Sequence, residues 1–178
     1  GQTLSLDVVT FATTPWGSYQ FTVTGTDTAT GTLIKSVNAN LNVLPQGLQD
    51  YPYSNDNPTM IPDNDANGIS SIINVAQAGT VFSANVAVNI SHTWRGDLIV
   101  KLRSPQGTEH VLHNQTGGSE DDLIQSWQLG SFNGENMQGD WTLLVSDNAG
   151  ADLGTLNNWA LTLTALSDGD NGPDPVAP

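Results

Sequence analysis

"GDWTLLVSDNAGADLGTLNNWALTL", residues 139–163, holds two stretches of strict alternation separated by a loop of Asp, Asn, Gly and Ala. Trp141, Leu143 and Val145 share one side of the first stretch; Trp159, Leu161 and Leu163 share one side of the second. Successive side chains of a strand point to opposite faces, so apolar residues at every second position mark a strand with one buried and one wet face. The same period recurs upstream. Val86, Val88 and Ile90 face one way, and Leu98, Val100 and Leu102 turn inward while Lys101 and Arg103 turn out. Clusters of Gly, Pro, Asn and Asp part these segments about every ten residues, the spacing of a sandwich or jelly roll. No amphipathic helix of useful length is visible. The sequence predicts an all-β fold.

Composition narrows the function. The 178 residues suffice for one full domain. Four basic residues stand against eighteen acidic ones, a net charge of −14. Such a chain repels phosphate backbones, so nucleic acid and anionic membranes are excluded as partners. No apolar run is long enough to span a bilayer. The first residues, GQTLSLDVVTF, lack the basic flank and apolar run of a signal peptide, so an exported protein would carry its signal upstream. Cysteine is absent, which removes thiolate catalysis, Cys–zinc sites and disulfides and leaves a bound metal as the available staple.

The chain divides near Pro45. GSYQFTVTGTD and LIKSVNANLNV read as two long strands, preceded by a strand at Leu4 to Phe11. Three strands cannot close a sandwich alone. The segments expected are a β part over 1–45, a Pro-, Asn- and Asp-rich linker over 46–60, a sandwich domain over 61–166 and a polar tail over 167–178.

The sequence shows no catalytic machinery. HExxH and GxSxG are both missing. His92 continues the inward series of Val86, Val88 and Ile90 and reads as a buried, hydrogen-bonded histidine. His110 and His113, three apart on a strand, should point to opposite faces. Adjacent acids at Glu120, Asp121 and Asp122 do not make a glycosidase pair, whose members come from separate strands. Trp141 and Trp159 are core; Trp94 and Trp127 could form a stacking platform for sugars or pack inside. Arg95-Gly96-Asp97 is a tripeptide that adhesion receptors read, but here it reads as a turn, with Gly96 supplying positive φ and Asp97 bonding the turn backbone.

The acids suggest calcium. Fifteen of the eighteen are Asp, a turn residue and a ligand for hard cations. Asp63-Asn64-Asp65-Ala66-Asn67-Gly68 spells D-x-D-x-N-G, the first half of a calcium loop, without the glutamate and helix that would complete an EF-hand. Asp97, Asp122, Asp147 and Asp152 lie in other loops between strands. The expected ligands of Ca2+ are Asp63, Asp65, Asn67, Asp97, Asp122, Asp147 and Asp152, with no grouping into sites.

Two stretches carry a family resemblance. HTWRGDLIVKLRSPQGT and GDWTLLVSDNAGADLGTLNNWALTL, in that order and separation, resemble the P domain of proprotein convertases in its bacterial secreted-peptidase form. The "GxYxFTVTGT…V.LxV" pattern before Pro45 is similar to the closing strands of bacterial immunoglobulin-like domains. The resemblance implies a jelly-roll β-sandwich preceded by part of an immunoglobulin-like sandwich. It also implies a non-catalytic accessory domain of a secreted bacterial endopeptidase, more often subtilisin-like than metal-dependent. The partners it implies are the catalytic domain of the same polypeptide and protein substrate, with the chain a monomer and calcium bound. The competing reading is a module that anchors the parent enzyme to polysaccharide or fibrous protein.

Overall fold

The computed structural model describes residues 8–9, 14–15, 17–26, 29–31, 33–45 and 47–167. The chain splits into two compact units, one of Gly1–Gly47 with Asn171–Pro178 and one of Leu48–Asp170. The expected strand at Leu4 to Phe11 falls, apart from Val8 and Val9, outside the described residues, and so does the tail beyond Ser167.

In the first unit, β1 (Gly17–Thr26) and β2 (Leu33–Val43) form an antiparallel hairpin. Tyr19 pairs with Leu41, Phe21 with Ala39 and Val23 with Val37, so one face of the ribbon is apolar. The other carries Gln20, Thr22 and Asn38, where the Thr22 hydroxyl donates to Asn38 Oδ1 at 2.8 Å.

The second unit is a two-sheet sandwich. Its strands are β3 (Gln49–Asn55), β4 (Thr59–Ile61), β5 (Asp65–Val75), β6 (Gly79–His92), β7 (Leu98–Arg103), β8 (Glu109–Asn114), β9 (Leu123–Leu129), β10 (Gly139–Asp147) and β11 (Gly154–Ser167). One sheet has the order β5-β10-β7-β8; the other has β3-β11-β6-β9, with β4 also paired to β11. Pairing is antiparallel throughout, and apart from the β7–β8 hairpin each main strand from β5 onward passes to the opposite sheet. This is the eight-stranded double Greek key of a jelly roll. No helix among the described residues is long and apolar enough to cross a membrane.

The alternation read from sequence becomes the core. Trp141, Leu143, Val86, Leu98, Leu102 and Leu161 are fully buried between the sheets. The two core tryptophans keep their indole donors satisfied: Trp141 Nε1 donates to Met137 O at 2.9 Å and Trp159 Nε1 to Ser71 Oγ at 2.9 Å. Phe132 sets its ring edge-on to Trp141 with centroids 5.1 Å apart.

Two local readings change. The stretch 46–60 contains β3 and the first two residues of β4, and β3 pairs with β11 from Gln49↔Ala165 to Asn55↔Trp159. Tyr51 and Tyr53 pack against the core from this strand. Pro52 is tolerated because β3 is an edge strand. His110 and His113 do not face opposite ways. A register shift opposite Val100/Lys101 places Leu112 and His113 both on the buried side. His110 already packs edge-on against Phe132. A bulge puts two successive residues against one partner and so breaks the two-residue period.

Candidate functional site: an acidic loop end organised by His92

Strand register brings the predicted acids together. Asp147, the last residue of β10, pairs with Asp65 on one side and with Leu98 on the other. Gly154, the first residue of β11, pairs with Ile61 and with His92. The loops 62–64, 93–97, 115–122 and 148–153 therefore meet at one end of the sandwich. All seven residues expected to bind metal lie in these loops or at the strand ends that bound them.

His92 ties the loops to each other. It is 2% exposed, and its Nδ1 lies 3.1 Å from the Trp94 backbone nitrogen. A backbone N–H can only donate, so Nδ1 accepts and a ring proton sits on Nε2. Nε2 faces Asp147 Oδ2 at 3.3 Å, and both side chains are fully shielded from solvent. Asp147 Oδ1 accepts from Ala149 N at 3.2 Å. The backbone of His92 donates to Asp122 Oδ1 at 3.0 Å and accepts from Asp122 N at 2.8 Å. One histidine thus fixes the β6–β7, β8–β9 and β10–β11 connections.

The hexapeptide 63–68 folds back as its glycine suggests. Gly68 has φ +56°, and a Cβ there would lie 2.0 Å from Val145 O. Asp65 Oδ1 accepts from Asn67 N at 2.9 Å and from Asn67 Nδ2 at 3.0 Å, an Asx turn. Asp63 Oδ2 accepts from Ala151 N at 3.3 Å, linking this loop to 148–153. Asp152 Oδ1 accepts from the Thr93 hydroxyl. Asp97 is the exception, since its carboxylate enters no hydrogen bond among the described residues. Burial, followed by the Asp147 and Asp152 carboxylates and then Asp63, pushes the Asp97 carboxyl up from its ordinary range; His92 opposes the shift. Among the described residues, no three His, Asp or Glu side chains converge closely enough to hold a metal ion.

The tripeptide at 95–97 is one 3-10 turn built into this end. Arg95 N donates to Glu120 O at 3.0 Å, Gly96 N to Gly118 O at 2.9 Å and Asp97 N to Trp94 O at 3.0 Å. The Arg95 guanidinium pairs with Glu120 and lies against Gly117. Gly96 is needed for a different reason than positive φ: a Cβ there would meet the Gly118 backbone at 2.8 Å. Asp97 likewise contributes its backbone, not its side chain, to the turn. Trp94 is 44% exposed, but Trp127 packs against the core, so the two do not form an exposed pair.

The proprotein convertase P-domain family model matches residues 81–163. Residues 81–163 are thereby identified as a P-domain. Leupeptin-inactivating enzyme 1 of Streptomyces exfoliatus is 41% identical over 104 residues, covering 57% of this chain and 24% of that protein. The calcium-dependent protease of Trichormus variabilis is 33% identical over 112 residues, covering 58% of this chain and 17% of that protein. Other matched relatives are named as serine proteinases and as a metalloprotease. The chain spans about a quarter or less of the length of these relatives. The crystal structure of an Aeromonas sobria serine protease with its chaperone overlays with a TM-score of 0.61 at 18% identity, covering 82% of this chain and 36% of that one. At that identity the overlay shows a shared fold. The acidic loop end, including His92, Asp97, Asp147 and Asp152, lies inside the matched P-domain; Asp63, Asp65 and Asn67 precede it.

Sequence reasoning found the acids and the inward His92. It did not find that His92 and Asp147 are partners, because the two are 55 residues apart. The usable signal was an Asp at the inward position that continues Trp141, Leu143 and Val145. A buried carboxylate needs a buried donor.

Proposed function

We propose that this chain is the non-catalytic accessory part of a secreted bacterial peptidase, which packs on the catalytic domain of the same polypeptide and steadies it. The observation that carries this reading is the P-domain match together with relatives that are proteases of which this chain covers a small share. The histidines support it. His92 and His113 serve loop architecture, with His113 Nε2 placed 2.9 Å from Arg95 O, and His110 packs on Phe132. The parent is a subtilisin-like serine peptidase acting outside the cell, and residues 1–45 are closing strands of an immunoglobulin-like domain, of which the β1–β2 hairpin is the described part. The test is deletion of this chain from its parent polypeptide. Secretion yield and heat resistance of the peptidase should both fall; unchanged values would end the proposal.

Calcium belongs to the same reading. The donor chemistry suits a hard divalent cation, since Asp63, Asp97 and Asp152 bring carboxylates from three loops to one end, but as placed no three of them converge tightly enough to hold one. Burial and then the Asp147 and Asp152 carboxylates raise the Asp97 carboxyl, and a cation drawn between the loops would relieve the repulsive part. Asp63, Asp97 and Asp152 would have to draw together to hold it, with Asp65 and Asn67 shaping the adjoining turn, while Asp122 and Asp147 are occupied by His92. Bound there, calcium would join loops 62–64, 93–97 and 148–153 as a staple in a chain without disulfides. The relative named a calcium-dependent protease is consistent with this assignment. Anchoring to polysaccharide or fibrous protein finds less support, since of the two tryptophans open to that role only Trp94 is exposed.

A further inference from the structure

The two outer faces of the sandwich differ in chemistry. On the β3-β11-β6-β9 sheet the outer rows are Ser83–Thr164–Asp50, Gln128–Asn85–Thr162–Pro52 and Ser126–Ala87–Ala160–Ser54, small or uncharged residues apart from Asp50 at the edge. Exposed apolar side chains occur there only toward the margin, at Ile124 on the edge strand and Met60 on short β4. On the β5-β10-β7-β8 sheet the rows are Ile72–Thr142–Arg103–Glu109 and Ser70–Leu144–Lys101–Val111. Ile72 and Val111 are 48% and 49% exposed, and Ile99 continues the outer series of β7. A shallow groove of about 210 Å³ runs across this face, lined by Asn67, Ile99, Lys101, Arg103, Leu144 and Ser146.

Charge singles out the groove. Lys101 and Arg103 are two of the four basic residues in a chain of net charge −14. Of the others, Arg95 pairs with Glu120 among the acids of the loop end and Lys35 belongs to the other unit; Lys101 and Arg103 share one acid, Glu109, between them. Glu109 holds Arg103 through Nε at 2.8 Å and Nη2 at 2.5 Å and stands 3.7 Å from Lys101, which leaves one net positive charge on these three residues. Glu109 takes Nε and Nη2 of Arg103, whose side chain remains 45% exposed. Ile99, Lys101 and Arg103 follow at two-residue spacing, roughly 7 Å apart on the same face of β7.

We propose that this groove is a docking surface for an extended, acidic segment of a protein partner, one whose alternate residues read acid, acid, apolar. Alternate side chains of an extended peptide share one side and one spacing with β7, so two carboxylates can meet Arg103 and Lys101 while an aliphatic residue meets Ile99 and Leu144. The net charge of −14 opposes an acidic segment over the whole surface, and least at this groove, where Lys101, Arg103 and Glu109 together carry one net positive charge.

The test is NMR titration of the full chain with a capped peptide of pattern Ser-Glu-Ser-Glu-Ser-Leu-Ser, alongside the same peptide with Lys for Glu. Saturable shifts at Ile99, Lys101, Arg103 and Leu144 with the Glu peptide alone, weakened by salt, are expected. Lys101→Glu with Arg103→Glu should reduce affinity about tenfold or more. Lys101→Gln, the milder change at an exposed site, should reduce it in the same direction. No shifts at millimolar Glu peptide, equal shifts with the Lys peptide, or binding that is indifferent to both variants would each overturn the proposal.

Discussion

Replacing His92 by Phe removes both ring hydrogen bonds while keeping a flat ring of similar size. It leaves the Trp94 N–H without its acceptor and the Asp147 carboxylate, fully buried, without its side-chain donor. A neutral hydrogen bond contributes about 0.5–1.5 kcal/mol and one to a charged group about 1.5–3 kcal/mol. The two together give about 2–4 kcal/mol. A domain of this size loses about 2–4 °C per kcal/mol, so the melting temperature should fall by roughly 5–15 °C. Calorimetry on the purified chain reads this directly. His92→Asn separates the two bonds, because an amide oxygen can replace Nδ1 as acceptor for Trp94 but cannot reach Asp147, and its loss should be intermediate. In a double-mutant cycle with Asp147→Asn, the second substitution should cost little once His92 is gone. A His92→Phe protein that melts within a degree of wild type, or strictly additive losses in the cycle, would refute His92 as the organiser of this end.

The other expectations concern the same loops. Burial and three neighbouring carboxylates raise the Asp97 carboxyl above its ordinary 3.8, so the folded protein holds that proton more tightly than the unfolded chain does. The stability this supplies is full below the unfolded value and is lost as pH rises through the raised folded one. Metal-free Asp97→Asn should therefore gain stability relative to wild type on going from pH 4 to pH 7, and melts that track in parallel across that range would contradict the repulsion. Gly68→Ala should cost more than about 2 kcal/mol in denaturant unfolding, since its Cβ would lie 2.0 Å from Val145 O at φ +56°. Gly107→Ala, at φ +90° with nothing within 4 Å, should cost only about 1 kcal/mol. Equal losses would show that close approach to β10 is not what selects glycine at 68.

The sandwich was legible because the central runs of its core strands alternate without interruption, the bulges falling toward their ends. Trp141 to Val145 and Trp159 to Leu163 each obey the two-residue period over their whole buried length. β3 was hidden because Pro52 and the flanking Asn and Asp residues carry turn chemistry, while only Tyr51 and Tyr53 pack inward; an edge strand tolerates that composition. His113 escaped because a bulge inverts parity, and nothing local in EHVLHN announces one. The acids could be named from their loops but not grouped, since grouping depends on register. Only when Asp147 pairs with both Asp65 and Leu98 do the loops holding Asp63, Asp97 and Asp152 become neighbours.

The most direct test of a cation-stapled accessory domain is a melt of the chain, stripped and shown metal-free by elemental analysis, with and without calcium. A cation that binds only the folded state at about a hundred times its dissociation constant adds about 2.7 kcal/mol, roughly 5–10 °C here. That rise should appear with calcium and vanish in Asp97→Asn. Superimposable melts at millimolar calcium would contradict the account and leave Asp63, Asp97 and Asp152 as turn residues held together without a metal.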